Sequence, residues 1–302
     1  MIELIPAALR EHAAFAPYLP QIPQLDALLD VRRPCEGRGP EALEAVAARR
    51  WVPACAGTTP RRGATPPHRN VGAHLRQQAR AGKGAIPNFI PPPARALSAI
   101  DFERRVVEQN ELIVRPNSLH DLLNALVWLT FPKTKRAISE AHVALGVNPD
   151  GKTRPRRRDV LTLFDESGLI ILSENDHLRA LNQQHQWREL FITDRADFIK
   201  QTRTILFGHG AMEQLGNQLP QIHRGLTAKA IWLPMPITTP ISALDDTLAA
   251  HVNSGERLGE SERVTPLPVL GLPGWFEENE SPGCYDDESV FRPKQPKRSG
   301  AP

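Results

Sequence analysis

The stretch NSLHDLLNALVWLTFPKTK, residues 117–135, constrains the fold most, because it predicts an apolar helix that needs a core around it. Its leucines recur three or four residues apart, which is the spacing of one helix face. Ser118 suits the N-cap, and Asp121 would bond back to the Ser118 backbone as an approximate capping box. Pro132 ends this helix and can occupy the first turn of a second helix over residues 133–145.

The remaining periodicity predicts a mainly helical chain with a small sheet. Helices are expected over residues 96–110, 176–187, 196–219 and 241–255, and strands over residues 111–116 and 226–235. Residues 159–173 predict a hairpin, with strands at 160–164 and 169–172 and a turn in which Gly168 takes a positive φ. Strands and helices do not alternate as in a doubly wound sheet. The fold class is therefore α+β, a mainly helical single domain with a sheet of three or four strands.

Residues 32–84 differ in composition from the rest and predict a disordered insertion. Between residues 32 and 80 there are ten arginines and three glutamates, a charge of +7 in a chain of net charge +3, so the remaining residues carry −4. Few large aliphatic residues are present to build a core. The words RRWVPACAGTTPRRG resemble the in-frame translation of a bacterial palindromic repeat. The alternative is an arginine-rich arm that binds RNA or a membrane, although Trp51 is the only aromatic residue available for base stacking.

This composition predicts four consecutive parts. Residues 1–31 form the N-terminal part of the domain, 32–84 the insertion, 85–293 the main domain and 294–302 a disordered tail. Near the end, Trp275, Tyr285 and Phe291 are expected to anchor a proline-rich stretch across the domain.

The sequence argues against a membrane protein, a disulfide-stabilised protein and the common nucleotide-binding and zinc enzymes. No apolar run reaches the roughly 18 residues that span a bilayer, and the first residues lack the basic and apolar regions of a signal peptide. Cys35, Cys55 and Cys284 are odd in number and form no C-x-x-C pair, so neither a disulfide framework nor a zinc ribbon is indicated. The sequence contains no glycine-rich nucleotide motif and no H-E-x-x-H. We expect a cytoplasmic protein.

Five words, in order, give the chain a family resemblance: NSLHDLLNALVWLTFPKTKRAI, RDVLTLFDESG, LFGHGAMEQL, LTAKAIWL and PLPVLGLPGWFEENESPGCYDDESVFRP. Together they resemble a bacterial family, domain of unknown function 3025. The resemblance covers roughly residues 1–30 and 85–293 and leaves out the arginine-rich segment, as an insertion would. The family's role is unassigned, so the resemblance implies that these words share one domain and implies no reaction.

Two segments that are predicted to be helical carry paired polar residues, and these predict a catalytic or metal-binding site. His120 and Asn124 lie four residues apart at the start of the apolar helix, with Asp121 beside them, and His209 and Glu213 repeat that spacing in FGHGAME. Residues four apart share one helix face and can deliver two ligands to a metal. We expect the two helices to face each other across one cleft. Alternatively, Asp121 caps its helix, and His120 and Asn124 are buried polar groups satisfied by neighbouring structure.

These residues lead to three hypotheses about function. The first is an enzyme, a His/Asp-dependent or metal-assisted hydrolase that acts on a small anionic substrate. In it His120 is the base, Asp121 its orienter or a ligand, Asn124 a donor to the substrate, and His209 with Glu213 a second ligand pair for a divalent metal. The second is an interaction module that binds a partner on its proline-rich C-terminal part. The third is nucleic-acid binding, which the confinement of the basic charge to one segment disfavours.

Overall fold

The computed structural model describes residues 5–30, 86–146, 156–216, 224–255, 258 and 264–294. The α-helices in these ranges are α1 (Ala7–Glu11), α2 (Ile22–Asp30), α3 (Ala99–Arg104), α4 (Leu119–Thr130), α5 (Pro132–Leu145), α6 (Arg156–Ser167), α7 (Asp176–Gln184), α8 (Arg195–Gln201), α9 (His209–Gly216) and α10 (Ile241–Ser254). A 3-10 helix, Ala13–Gln21, joins α1 to α2, and a π-helical turn, Arg105–Gln109, follows α3.

Six strands form two small sheets in the described part of the chain. They are β1 (Asn88–Ile90), β2 (Glu111–Ile113), β3 (Gly168–Leu172), β4 (Arg203–Leu206), β5 (Thr227–Leu233) and β6 (Thr265–Pro268). β1 and β2 pair in parallel, and the larger sheet has the order β4-β3-β5-β6. In that sheet β3 is parallel to β5 and antiparallel to β4, and β6 is antiparallel to β5. The prediction of a mainly helical α+β domain is confirmed.

α4 is the apolar helix that the sequence predicted, and it begins and ends where expected. The Ser118 hydroxyl oxygen accepts a hydrogen bond from the Asp121 N–H at 3.2 Å, which caps the first turn. Nine of its twelve residues are buried, so α4 contacts other elements around most of its circumference. Pro132 is the first residue of α5, a position where the missing N–H leaves no intrahelical bond unmade.

The larger sheet, α4 and the N-terminal helices share one hydrophobic core. All five residues of β3 are buried, as expected of a strand that is covered on both faces. Leu9, Phe15 and Tyr18 from the N-terminal residues are buried in the same core. The Tyr18 hydroxyl donates a hydrogen bond of 2.7 Å to the Leu206 carbonyl, which ties the N-terminal part to the end of β4.

The predicted hairpin at residues 159–173 is wrong in its first half, because its first strand is the middle of α6. Arg158, Leu161 and Phe164 are buried at intervals of three residues, which is a helical spacing. Gly168 is the first residue of β3, and its φ is not positive. A side chain there would lie 2.3 Å from the Phe164 carbonyl oxygen, so the close contact of α6 with β3 requires glycine.

The single helix predicted over residues 196–219 is also wrong, since the stretch divides into α8, β4 and α9. Ile205 and Leu206 are fully buried where β4 pairs with β3. Pairing at the sheet edge buries this apolar run, and such tertiary burial overrides a local helix preference. As a result, His209 follows shortly after β4 as the first residue of α9.

The C-terminal stretch is held to the domain by buried aromatic residues. Trp275, Tyr285 and Phe291 are buried, which confirms that aromatic residues anchor the proline-rich C-terminal stretch. The predicted insertion at residues 32–84 and the tail from residue 295 lie outside the described residues. Within the described ranges, no helix combines the length and the apolar character needed to cross a membrane.

Candidate functional site

His120, Glu166, His209 and Glu213 meet where three helices begin or end. α4 contributes His120 from its first turn, α6 contributes Glu166 from its last turn, and α9 contributes the other two side chains. α9 packs against both α4 and α6. Because β3 follows α6 and β4 leads into α9, the antiparallel pairing of these strands brings the end of α6 beside the start of α9.

Two glycines allow the end of α6 and the start of α9 to approach closely. A side chain at Gly208 would lie 2.4 Å from the Ser167 backbone, and one at Gly210 would lie 2.5 Å from the Glu166 carboxylate. The Gly208 N–H donates a hydrogen bond of 2.9 Å to the Gly168 carbonyl, which fixes the contact. The G-H-G sequence therefore provides close backbone contact and the space that the Glu166 side chain occupies.

Both ring nitrogens of His120 have partners. Nδ1 lies 2.9 Å from Oε2 of Glu213, and Nε2 lies 3.1 Å from Nε2 of His209. An ionised carboxylate only accepts hydrogen bonds, so Nδ1 of His120 carries a hydrogen, and in the neutral ring Nε2 then presents a lone pair. In metal sites, a ligating histidine commonly donates the N–H of its other ring nitrogen to a carboxylate, which fixes the orientation of the imidazole. Glu213 stands in this position relative to His120.

The contact between the two histidines requires a proton or a cation between them. Two imidazole nitrogens 3.1 Å apart repel each other if both present lone pairs. A hydrogen on Nε2 of His209 would join them in a hydrogen bond. A metal ion at a bond length of about 2.1 Å from each nitrogen would also join them, at an angle of roughly 95°.

Glu166 supplies a third ligand atom. Its Oε1 lies 3.7 Å from Nε2 of His209, and the ligand atoms of Glu166, His120 and His209 all lie within 4.8 Å of one another. Bonds of about 2.1 Å to an ion would make the angle between His209 and Glu166 roughly 125°. Two imidazoles and one carboxylate suit zinc and leave a fourth position for water. The Glu166 side chain is 46% exposed, so solvent reaches this side of the cluster.

Burial sets the charge states of the cluster. It lowers the pKa of His209 to about 4, against a smaller upward effect of the Asp165 carboxylate, so His209 is a neutral ligand at neutral pH. Burial raises the pKa of Glu166, and the negative charges of Asp165 and Glu213 add to that effect. The carboxylates at this point therefore repel one another, and a divalent cation would relieve the repulsion.

A buried ion pair lies next to the cluster. Lys135 of α5 is 3% exposed, and its ammonium group pairs with the Asp165 carboxylate. Burial opposes ionisation of Asp165, yet the positive charge of Lys135 and its hydrogen bond hold the pKa of this carboxyl below its usual value. Asp165 and Glu166 are the residues that sequence reasoning missed, since it assigned both to a hairpin turn. The helical spacing of Leu161 and Phe164 is the signal that could have placed them in the last turn of a helix.

Asp121, a predicted site residue, binds an arginine and not His120. Its Oδ2 accepts hydrogen bonds from the Arg115 backbone N–H and Nε, and its Oδ1 accepts one from Nη2, at 2.7–2.8 Å. This arrangement replaces the predicted bond to the Ser118 backbone. The group that contacts His120 as an orienting carboxylate is Glu213, which had been assigned to a metal.

Asn124, the other residue predicted beside His120, lies one turn further along α4. Its Oδ1 is buried and accepts no hydrogen bond from the described residues. The ring nitrogens of His120 pair with Glu213 and His209, so Asn124 is not the hydrogen-bond partner of either nitrogen.

One comparison with known proteins covers most of the main domain. A family model described as "Protein of unknown function (DUF3025)" matches residues 88–295. The chain belongs to the DUF3025 family. All four residues of the cluster, His120, Glu166, His209 and Glu213, lie within the DUF3025 region. No curated protein and no solved structure shows a significant match to the chain.

Proposed function

We propose that the chain is a cytoplasmic, metal-assisted hydrolase that acts on a small anionic substrate. The observation that carries the proposal is the convergence of His120, His209 and Glu166 from three helices, with ligand atoms within 4.8 Å of one another. The crowded carboxylates repel one another in a metal-free chain, and without an ion the two imidazoles need a proton between them. A divalent ion turns this repulsion into attraction, which explains why the residues lie together.

In this proposal the two imidazoles and Glu166 hold a divalent ion, zinc by ligand preference, and a water molecule takes the fourth position. An ion of this kind lowers the pKa of its bound water to about 7, so hydroxide is available at neutral pH. Glu213 keeps His120 in the tautomer whose Nε2 binds the ion. When bound, the ion would supply hydroxide for hydrolysis, in which the hydroxide adds to the carbonyl or phosphoryl centre, the bond to the leaving group breaks, and the leaving group departs with a proton.

A metal-free mechanism with His120 as the base has less support. Nδ1 of His120 contacts Glu213 and Nε2 contacts His209, so no ring nitrogen remains to activate a nucleophile. The orienting role proposed for Asp121 is also unsupported, because that carboxylate binds Arg115. A metal ion would bind between the two imidazole nitrogens as they stand, whereas His120 could act as a base only if its contact with His209 were broken.

Zinc titration of the purified full chain by calorimetry tests the proposal. We expect one zinc ion per chain, and we expect His120→Asn and Glu166→Gln to weaken binding at least 10-fold. His177→Asn is the matched control, because His177 contacts the Asp194 carboxylate at 2.8 Å in a histidine–carboxylate pair of its own. The zinc-loaded chain is then assayed with p-nitrophenyl carboxylate and phosphate esters, and His120→Asn should abolish hydrolysis.

A different outcome would support a structural role for the same residues. If the chain binds neither zinc nor another divalent ion, and His120→Asn mainly lowers the thermal midpoint, the cluster is a polar network that holds α4 against α9. The interaction-module hypothesis would then be preferred. Nucleic-acid binding through the arginine-rich segment stays a prediction, since that segment lies outside the described residues.

A further inference from the structure

We propose that Arg115 is the residue that binds the anionic group of the substrate, and that Asp121 is the positioning residue that holds it for this task. The inference rests on the proposed function, because the substrate is the one processed at the neighbouring metal centre. The ligand chemistry is a carboxylate or a phosphate group, since both present oxygens that match a planar guanidinium.

The geometry around Arg115 fixes the guanidinium along one edge. The Asp121 carboxylate accepts hydrogen bonds from Nε at 2.8 Å and from Nη2 at 2.7 Å, and a third bond from the Arg115 backbone N–H at 2.8 Å anchors the same residue. The Asp121 side chain is 10% exposed, whereas the Arg115 side chain is 60% exposed. The guanidinium is thus held from the protein side, and Nη1 makes no hydrogen bond to the described residues.

Arg115 lies beside the cluster. Asp121, its partner, is the residue after His120 in the first turn of α4. The hydrogen bonds that the Arg115 guanidinium donates to Asp121 raise its pKa, and the charge of Glu213, the carboxylate that contacts His120, adds to this effect. A permanently charged donor is therefore positioned close to the proposed metal centre.

Capping the helix does not explain the arginine. Asp121 could accept the Arg115 backbone N–H whatever the side chain at that position, and an ion pair with a largely exposed guanidinium contributes little to stability. A substrate anion, however, has to approach the Glu166 and Glu213 carboxylates. The ion in the centre offsets their charge, and the edge of the Arg115 guanidinium that Asp121 leaves open supplies N–H donors to the oxygens of the anion.

Calorimetric titration of the zinc-loaded full chain with inorganic phosphate, and separately with acetate, tests the assignment. We expect Arg115→Met to weaken binding of at least one of the two anions about 10-fold or more, and Asp121→Asn to weaken it less. Zinc affinity and the thermal midpoint of Arg115→Met should match those of the native chain. Arg188→Met is the control, since Arg188 is also an exposed arginine that pairs with a carboxylate, Asp286, but lies outside the cluster. The anion that responds identifies the substrate class.

The outcomes separate this inference from the proposed function. Equal anion affinity of the native chain and Arg115→Met, with zinc bound, overturns the role of Arg115 and leaves the metal centre standing. If the chain binds no zinc, the same titrations are run on the metal-free chain, where weaker binding by Arg115→Met supports the anion site and equal binding overturns it. Absence of phosphate and acetate binding in both forms also overturns it. Should Asp121→Asn fail to fold, Arg115→Lys is tested in its place. This variant keeps the positive charge but loses the paired N–H donors by which Asp121 holds the guanidinium in position.

Discussion

At the scale of single residues, His209 couples stability to pH. Burial lowers its pKa to about 4, below the ordinary value of 6.5, so the unfolded chain accepts a proton that the folded chain resists. As the pH falls from about 6.5 to 4, the unfolded state binds more protons at this residue than the folded state does. The free energy of unfolding therefore decreases by up to ~1.4 kcal/mol per pH unit in that window, and the effect is absent at higher pH.

We predict that His209→Asn flattens the acid side of the stability curve of the chelator-treated chain. Urea unfolding at a series of pH values from about 4.5 to 7.5 measures this, and the native chain should lose its advantage over the variant as the pH falls. The exposed-histidine variant His177→Asn should keep the native slope. Parallel curves for His209→Asn and the native chain would contradict a buried, neutral His209.

Gly210 is predicted to control metal binding without controlling stability. An alanine Cβ would lie 2.5 Å from Oε2 of Glu166, the end of a flexible side chain, and 3.0 Å from the Glu166 carbonyl oxygen. The closer contact is the one that moves easily, so Glu166 turns away and the ligand is lost. We expect Gly210→Ala to weaken zinc binding about 10-fold and to change the thermal midpoint little.

Gly208→Ala provides the contrast to Gly210→Ala. Its Cβ would lie 2.4 Å from the Ser167 backbone, which cannot turn away, so the variant should lose about 1–3 kcal/mol of stability. Thermal melts and zinc titrations of both variants make the comparison. If both substitutions lower stability equally, the Glu166 side chain is not what Gly210 accommodates.

At the scale of elements, the pair of Lys135 and Asp165 joins α5 to α6 beside the cluster. Lys135→Met leaves the Asp165 carboxylate, only 20% exposed, without its cation and should cost about 3 kcal/mol of unfolding free energy. The double variant Lys135→Met/Asp165→Asn removes both charges and should recover most of this loss. Urea unfolding at neutral pH measures all three chains. A double variant no more stable than Lys135→Met would show that the ion pair is not the cause.

At the scale of the whole molecule, two parts of the chain on either side of residues 32–84 share one core. Leu9, Phe15 and Tyr18 are buried against the main domain although the long segment separates them from it in sequence. We predict that excising about residues 34–68 leaves the thermal midpoint within about 5 °C of the native value, because a segment with so few large aliphatic residues is expected to add little to the core. A larger drop, or loss of folded protein, would show that the segment contributes to the domain.

The sequence by itself determined where several helices begin and end and which side chains share a helix face, because these depend on residues close in sequence. The spacing of leucines, the Ser118 cap and Pro132 placed α4 and the start of α5 correctly, and Gly255 marked the end of α10, where it takes a φ of 71°. These signals are local, since a helix is defined by residues within one or two turns of each other. The paired polar residues of α4 and α9 were also visible, because spacing four apart is a local property.

Only the tertiary structure decided which of these residues meet, and with what. His120 and His209 are 89 residues apart, and their Nε2 atoms come within 3.1 Å because the pairing of β4 with β3 positions the start of α9 and α9 packs against α4. Periodicity encodes neither contact. The same pairing brought Glu166 into the cluster. The tertiary arrangement also decided that Asp121 pairs with Arg115. A carboxylate accepts hydrogen bonds from whichever donors the fold places beside it, and many side chains in a sequence can donate. Burial, which lowers the pKa of His209 to about 4, is likewise a property of the packed chain and not of the residue.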